Sequence, residues 1–185
     1  DLKDEEYINS HFIMMCTKKG VVKKTSLEAY SRPRTNGINA ITIREGDQLL
    51  EAKMTTGNSH IMMAVKSGKA IHFEEEKVRS MGRTAAGVRG IRLANDTDEV
   101  VGMICIEDTT SSVLVVAENG YGKRSAVEDY RITNRGGKGV KTINITDKTG
   151  PLISLKNVSD VDDLMVINKS GVTIRIGVDT LRVMG

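Results

Sequence analysis

The sequence has no tryptophan, only two phenylalanines, two prolines and two cysteines. A core built from it cannot rest on large rings. Aliphatic side chains and the nine methionines must fill it, methionine being well suited to irregular gaps. The two cysteines, Cys16 and Cys105, sit in apolar runs (FIMMC and MICI) with no CxxC pair and no Cys/His cluster, so they read as reduced, buried packing residues and not as a zinc site. No apolar run approaches the roughly 18–20 residues that a membrane span needs. The acidic opening, DLKDEEYINS, lacks the form of a secretory signal and reads as a cut inside a longer protein. Net charge is also small: a formal +3 selects no partner by itself. Its distribution says more. Acidic residues cluster in DLKDEE, HFEEEK and NDTDE, whereas basic residues recur beside glycines.

What the sequence has is repetition. Four segments run from a short apolar stretch into a glycine turn: FIMMCTKKG to Gly20, HIMMAVKSG to Gly68, SVLVVAENG to Gly120 and DLMVINKSG to Gly171. A period of about 50 residues points to propeller blades or a related array. The apolar runs Phe12–Cys16, His60–Val65, Val113–Ala117 and Leu164–Ile167 are too short for good helices and suit strands buried on both faces. A second, alternating strand after each glycine completes a hairpin.

A third strand carries a shared pattern: GINAITI from Gly37, GVRGIRL from Gly87 and GVKTINI from Gly139. Its first two apolar positions lie three apart, which strict alternation would send to opposite faces. A bulge at Ala40, Gly90 or Thr142 returns both to the core. The strands LLEAKMT, VVGMICI and LISLKNV follow as the fourth of each unit. The units predicted within a single repeat domain, 1–185, are 1–11 (the end of a preceding blade), 12–58, 59–110, 111–161 and a partial unit at 162–185, with little or no helix.

No catalytic, metal or cofactor site is expected. His11, His60 and His72 lack metal spacing, and RGGKG at 135–139 lacks the GxxxxGK[ST] spacing of a nucleotide loop. Tyr30 and Tyr130 occupy matching positions, where the other units carry Val78 and Leu181, which marks a packing position and not a nucleophile.

SMGRTAAGVRGIRL (80–93), NGYGKRSAVEDY (119–130) and NRGGKGVKTINI (134–145) resemble the blades of the C-terminal DNA-wrapping domain of DNA gyrase A, over essentially the whole chain. The resemblance implies an all-β fold, a β-pinwheel: a propeller-like array of four-stranded antiparallel blades that exchange strands with their neighbours, here an incomplete ring of three to four blades. It also implies duplex DNA as partner, together with the remainder of gyrase A and with gyrase B, no membrane, no cofactor, and a cytoplasmic parent that is an ATP-dependent type II topoisomerase. The family's heptapeptide box, Gln-Arg-Arg-Gly-Gly-Lys-Gly, is matched only in its last five positions by Arg135–Gly139. Thr133 and Asn134 stand in place of its Gln-Arg, so this is a box-like repeat loop and the authentic box is expected upstream of Asp1.

DNA binding without sequence readout needs cations along a path of phosphates. Candidates recur at fixed offsets from the hairpin glycines: Lys24, Arg124 and Arg175 four residues on, where His72 leaves open a weak phosphate contact; Lys23 and Lys123 one residue earlier; and Arg79 and Arg131 eleven residues on, with Ser31 and Arg182 at the matching positions. Around the third strand come Arg32 and Arg34; Arg83, Arg89 and Arg92; and Arg135, Lys138 and Lys141. If Val88, Ile91 and Leu93 face inward, Arg89 and Arg92 face outward, and Lys141 takes the place of Arg89. Lys18, Lys19, Lys66 and Lys69 read as plain turn residues. Glu74–Glu76 argues against DNA there and reads as solvent-exposed, or as facing another part of the parent protein. The rival readings are the C-terminal domain of topoisomerase IV and a protein-interaction β-propeller.

Overall fold

The computed structural model describes residues 2–185. In chain order, α1 (Glu5–Ser10) precedes β1 (Phe12–Thr17), β2 (Val21–Ser26), β3 (Leu49–Thr55), β4 (His60–Val65), β5 (Lys69–Glu74), β6 (Val88–Arg89), β7 (Val100–Ile106), β8 (Ser112–Ala117), β9 (Gly122–Ala126), β10 (Val140–Lys141), β11 (Leu152–Val158), β12 (Asp163–Ile167) and β13 (Thr173–Gly177). The four expected hairpins are β1–β2, β4–β5, β8–β9 and β12–β13. Their turns hold Gly20, Gly68, Gly120 and Gly171 at φ of 85–89°, a conformation that favours glycine.

The predicted fourth strands, β3, β7 and β11, pair with the first strand of their own unit. The third strands do something else. Val88 of β6 lies opposite Val22 of β2, and Val140 of β10 lies opposite Ala70 of β5. Each third strand therefore completes the sheet of the preceding unit. The sheets run β3-β1-β2-β6 and β10-β5-β4-β7, followed by a three-stranded β11-β8-β9 and a two-stranded β12-β13. The predicted bulges are present. Gly90 and Ile91 both donate their N–H to the Gly20 carbonyl, and Thr142 and Ile143 both donate to that of Gly68. Two donors on one acceptor are the mark of an inserted residue. Beyond the bulge Ile91 is 1% exposed, while Arg89 and Arg92 face solvent.

Three expectations need correction. Gly37–Ile43 forms no strand, because no preceding hairpin is present among the described residues to pair with it. Residues 5–10, predicted as the end of a preceding blade, form a helix whose Asp4 side chain accepts from the Tyr7 N–H at 3.2 Å. Each second strand also runs into a short 3-10 turn (Leu27–Tyr30, Glu75–Lys77, Val127–Asp129, Val178–Thr180).

The core lies between units. Met14, Cys16 and Val22 of the first pack on Ile61, Met63, Ile71 and Phe73 of the second. Met62, Ala64 and Ala70 of the second pack on Val113, Val115 and Val127 of the third. Each hairpin is thus covered on both faces, which is why β1, β4 and β8 are almost continuously apolar. Burial also pushes the thiols of Cys16 and Cys105 up to about 12, as inert packing residues require. At one edge, β3, β7 and β11 pack side by side, with Gly102 of β7 against Leu155 of β11. The opposite edges, β6 and β10, lie three strand spacings away, roughly 14 Å. The sheets therefore fan out from a common seam.

Candidate nucleic-acid interface

The outer edge is assembled from main-chain contacts between neighbouring units. The Arg135 guanidinium donates to the carbonyls of Lys77 (2.9 Å) and Arg89 (3.1 Å), the Gly136 N–H donates to Gly90, and the Arg92 N–H donates to Gly137. The loop Arg135–Gly139 is thereby laid along the strand of the unit before it. One unit earlier the same contacts recur. Arg83 donates to the Asn39 carbonyl at 2.9 Å and Thr42 N–H donates to Ala85. Arg89, Arg92, Arg135 and Lys138 are therefore brought together, and Lys141 stands on β10 in the register place of Arg89 on β6.

Exposed cations on these edges have no carboxylate to neutralise them. Among the described residues, Arg32, Arg34, Arg79, Arg89, Arg92, Arg131, Lys138 and Lys141 are all exposed, and none makes an ion pair. Arg32, Arg34, Arg79 and Arg131 follow the 3-10 turns, outside the contacts that join Arg89, Arg92 and Arg135. Arg83, Lys123 and Arg135 are half-buried. Arg175 is exposed but paired with Asp163 across its own hairpin.

The position four residues after the hairpin glycine is misread by the sequence. Lys24 (7% exposed) reaches the Glu75 carboxylate at 3.7 Å and lies 4.5 Å over the Phe12 ring. Arg124 (6%) donates to the carbonyls of Val178 and Leu181 and to Asp160. His72 (3%) lies 2.8 Å from the Tyr130 carbonyl. Lys23, one position earlier, is 1% exposed and its ammonium donates to the carbonyls of Ala40 and Arg83. Burial, then the Arg83 charge, pushes its pKa down. Lys24, His72 and Arg124 bind the 3-10 segment of the next unit, and Lys23 binds the bulge of its own. None of the four is available to a phosphate. Glu75, expected in solvent, is fully buried.

Arg44 escaped the sequence reading. Its guanidinium donates to the Gly87 carbonyl at 3.2 Å, and with Lys19 and Arg89 it lines a shallow cleft of about 250 Å³ that also holds Glu45 and Asp47. No repeat signal could mark it, since the matching positions are Ala94 and Thr146.

The buried imidazole makes the molecule pH-sensitive. Burial pushes the pKa of His72 below its ordinary 6.5, opposed by the Tyr130 carbonyl, while nearby His60, at 2.9 Å, lowers it further. A base whose folded pKa is depressed resists protonation in the native state and accepts it when unfolded. Stability is therefore intact above about pH 6.5 and falls as pH drops from there toward the folded pKa. Melting at about pH 7.5 and about pH 5.5 should show a lower midpoint in acid, by about 2–4 °C per kcal/mol lost. His72→Gln should reduce the acid-induced drop. An equal drop in wild type and variant would show that His72 is not its source.

Known proteins share this arrangement. A family model described as "DNA gyrase C-terminal domain, beta-propeller" matches residues 11–55, 59–107, 111–159 and 162–185. The DNA gyrase A protein of Chlamydia pneumoniae is 44% identical over the whole chain, and that of Staphylococcus epidermidis is 44% identical over 96% of it. The chain spans only 22% and 20% of those relatives. Among solved structures, the C-terminal domain of DNA topoisomerase IV superposes with a TM-score of 0.88 at 23% identity, covering 95% of this chain and 55% of that one. A DNA gyrase A C-terminal domain superposes at 0.77, also at 23% identity, covering 90% and 55%. At such identity the superpositions speak for the fold alone, which is the all-β pinwheel expected. Family is decided by the sequence match, which spans four consecutive stretches from residue 11 to residue 185. The chain belongs to the DNA gyrase C-terminal domain family.

Proposed function

We propose that this chain binds duplex DNA along the β6–β10 edge without reading base sequence, and bends it there. The carrying observation is the set of unpaired cations at equivalent places on successive sheets: Arg89 with Arg92 and Arg135, then Lys141. Phosphate contacts of this kind fix position but carry no sequence information. The fan of sheets makes the path curved, so DNA following it must bend, at about 1–6 kcal/mol for 40–90° over 20–30 bp. Neutralising some six to ten phosphates would offset that cost.

In this reading the chain does no catalysis. It is a wrapping module of gyrase A, part of a type II topoisomerase whose ATP chemistry lies in gyrase B and whose strand passage is directed toward negative supercoils by the wrapped DNA. Its units are 12–58, 59–110, 111–161 and 162–185, and its setting is the cytoplasm. The test is binding to unrelated duplexes against salt. Log affinity should fall linearly with log salt at a slope of about −5 to −9, equally for all sequences. Binding that ignores salt, or prefers one duplex strongly, would defeat the reading.

A further inference from the structure

At each complete junction in this chain, the third strand of one unit covers the hairpin of the unit before. Asn39 and Gly171 mark two places where such a junction is half made. Gly20 meets the Ile91 carbonyl at 2.7 Å from where a Cβ would stand, and Gly68 meets that of Ile143 at 2.5 Å, but Gly171 meets nothing within 4 Å. On the donor side, Gly87 lies against the Val22 carbonyl (2.6 Å) and Gly139 against that of Ala70 (2.4 Å), but Gly37, at φ +83°, meets nothing. The N–H groups of Ala40 and Ile41, matching the paired donors Gly90 and Ile91, have no acceptor among the described residues.

Exposure follows the same division. Met165 and Ile167 of β12 are 61% and 67% exposed, while their counterparts Met14 and Cys16 are fully buried under the next unit. Val172 and Ile174 beside them are also open. The chain thus carries one free acceptor face and one free donor segment of the matching type.

We propose that the β12–β13 hairpin is an interaction surface for a second copy of this chain, whose Gly37–Ile43 segment adds antiparallel to the free edge of β13. The register is set by β2–β6 and β5–β10: Thr173 opposite Ile38 and Val172 opposite Asn39 of the second copy. Ile41 and Ile43 of that copy then cover the exposed face, as Ile91 and Leu93 cover Met14 and Cys16. The edge of β9 is free as well, but β12–β13 already occupies the place of the hairpin that would accompany a strand there, so a whole unit fits only beyond β13. The contact joins two different surfaces, so it extends head to tail into longer assemblies.

The test uses the 185-residue chain without DNA. Sedimentation over a concentration series should show mass rising from monomer to dimer and beyond. Met165→Asp, at a position already exposed in the monomer, should hold it monomeric with unchanged melting, and Ile41→Asp should do the same. Asn39→Cys mixed with Val172→Cys should give an inter-chain disulfide on mild oxidation, because directly paired strand residues have Cα atoms about 4.5–5.5 Å apart, within the range a disulfide spans. Neither variant alone should give it. A chain that stays monomeric at its highest soluble concentration, or that cross-links through Asn39→Cys alone, overturns the proposal. Neither outcome bears on DNA binding along the β6–β10 edge.

Discussion

Replacing Glu75 by alanine is expected to lower the stability of the chain by about 3–5 kcal/mol, the usual penalty for removing one partner from a buried charged network. Glu75 is fully buried. Its carboxylate accepts from the Thr55 hydroxyl at 2.5 Å, the Gly57 N–H at 3.1 Å and the Ser59 N–H at 2.9 Å. The Lys24 ammonium stands farther off, at 3.7 Å. The hydrogen bonds are therefore the tighter part of the network, and they tie the end of β3 to the start of β4. Alanine would leave those donors unsatisfied and Lys24 buried without a counter-charge. Urea unfolding should show the loss as a lower midpoint at unchanged slope. Glu76→Ala, one residue on and exposed, should stay within about 0.5 kcal/mol of wild type. Lys24→Met in the Glu75→Ala background should recover part of the loss, since the stranded charge is then gone. A Glu75→Ala variant costing less than about 1 kcal/mol would show that the network does not hold the units together.

The second large effect concerns binding. Arg89, Arg92 and Lys141 changed together to alanine should weaken duplex affinity roughly 10²-fold or more at about 0.1 M salt, and should reduce the salt slope by about 2–3. All three are exposed and unpaired, so the folded chain loses little by their removal. The loss should be the same for every duplex. Arg175→Ala is the internal control: its guanidinium is held by Asp163, so slope and affinity should hardly change. Equal effects from the triple variant and from Arg175→Ala would mean that overall charge, and not the β6–β10 edge, governs binding.

Much of the fold was legible because the repeat is written in glycine and in apolar spacing. Gly20, Gly68, Gly120 and Gly171 mark turns whose φ is positive, and the three-residue step in GVRGIRL and GVKTINI marks a bulge that two donors on one carbonyl realise. The partner of each third strand could not be found by local pattern, because strand pairing between units leaves no local trace. The errors at Lys23, Lys24 and Arg124 share one cause. A lysine or arginine in an alternating strand suggests one wet face, but β2 and β9 are covered on both sides by neighbouring units. Only the carbonyls and carboxylates waiting there (Ala40, Glu75, Leu181) decide that these cations are internal. The outward set around Arg89 was legible, since a bulge fixes which residues turn away. Arg44 was not, since it occurs in one unit alone.

The handing of a strand from each unit to the one before also governs how such a gene can grow or shrink. A crossover that inserts or deletes one whole period rebuilds the same junction on either side, so ring size is free to drift in steps of one. A break inside a period strips two neighbouring sheets at once. Viable recombination points should therefore cluster at one phase of the repeat, in the stretch between a fourth strand and the next hairpin, such as Thr56–Ser59.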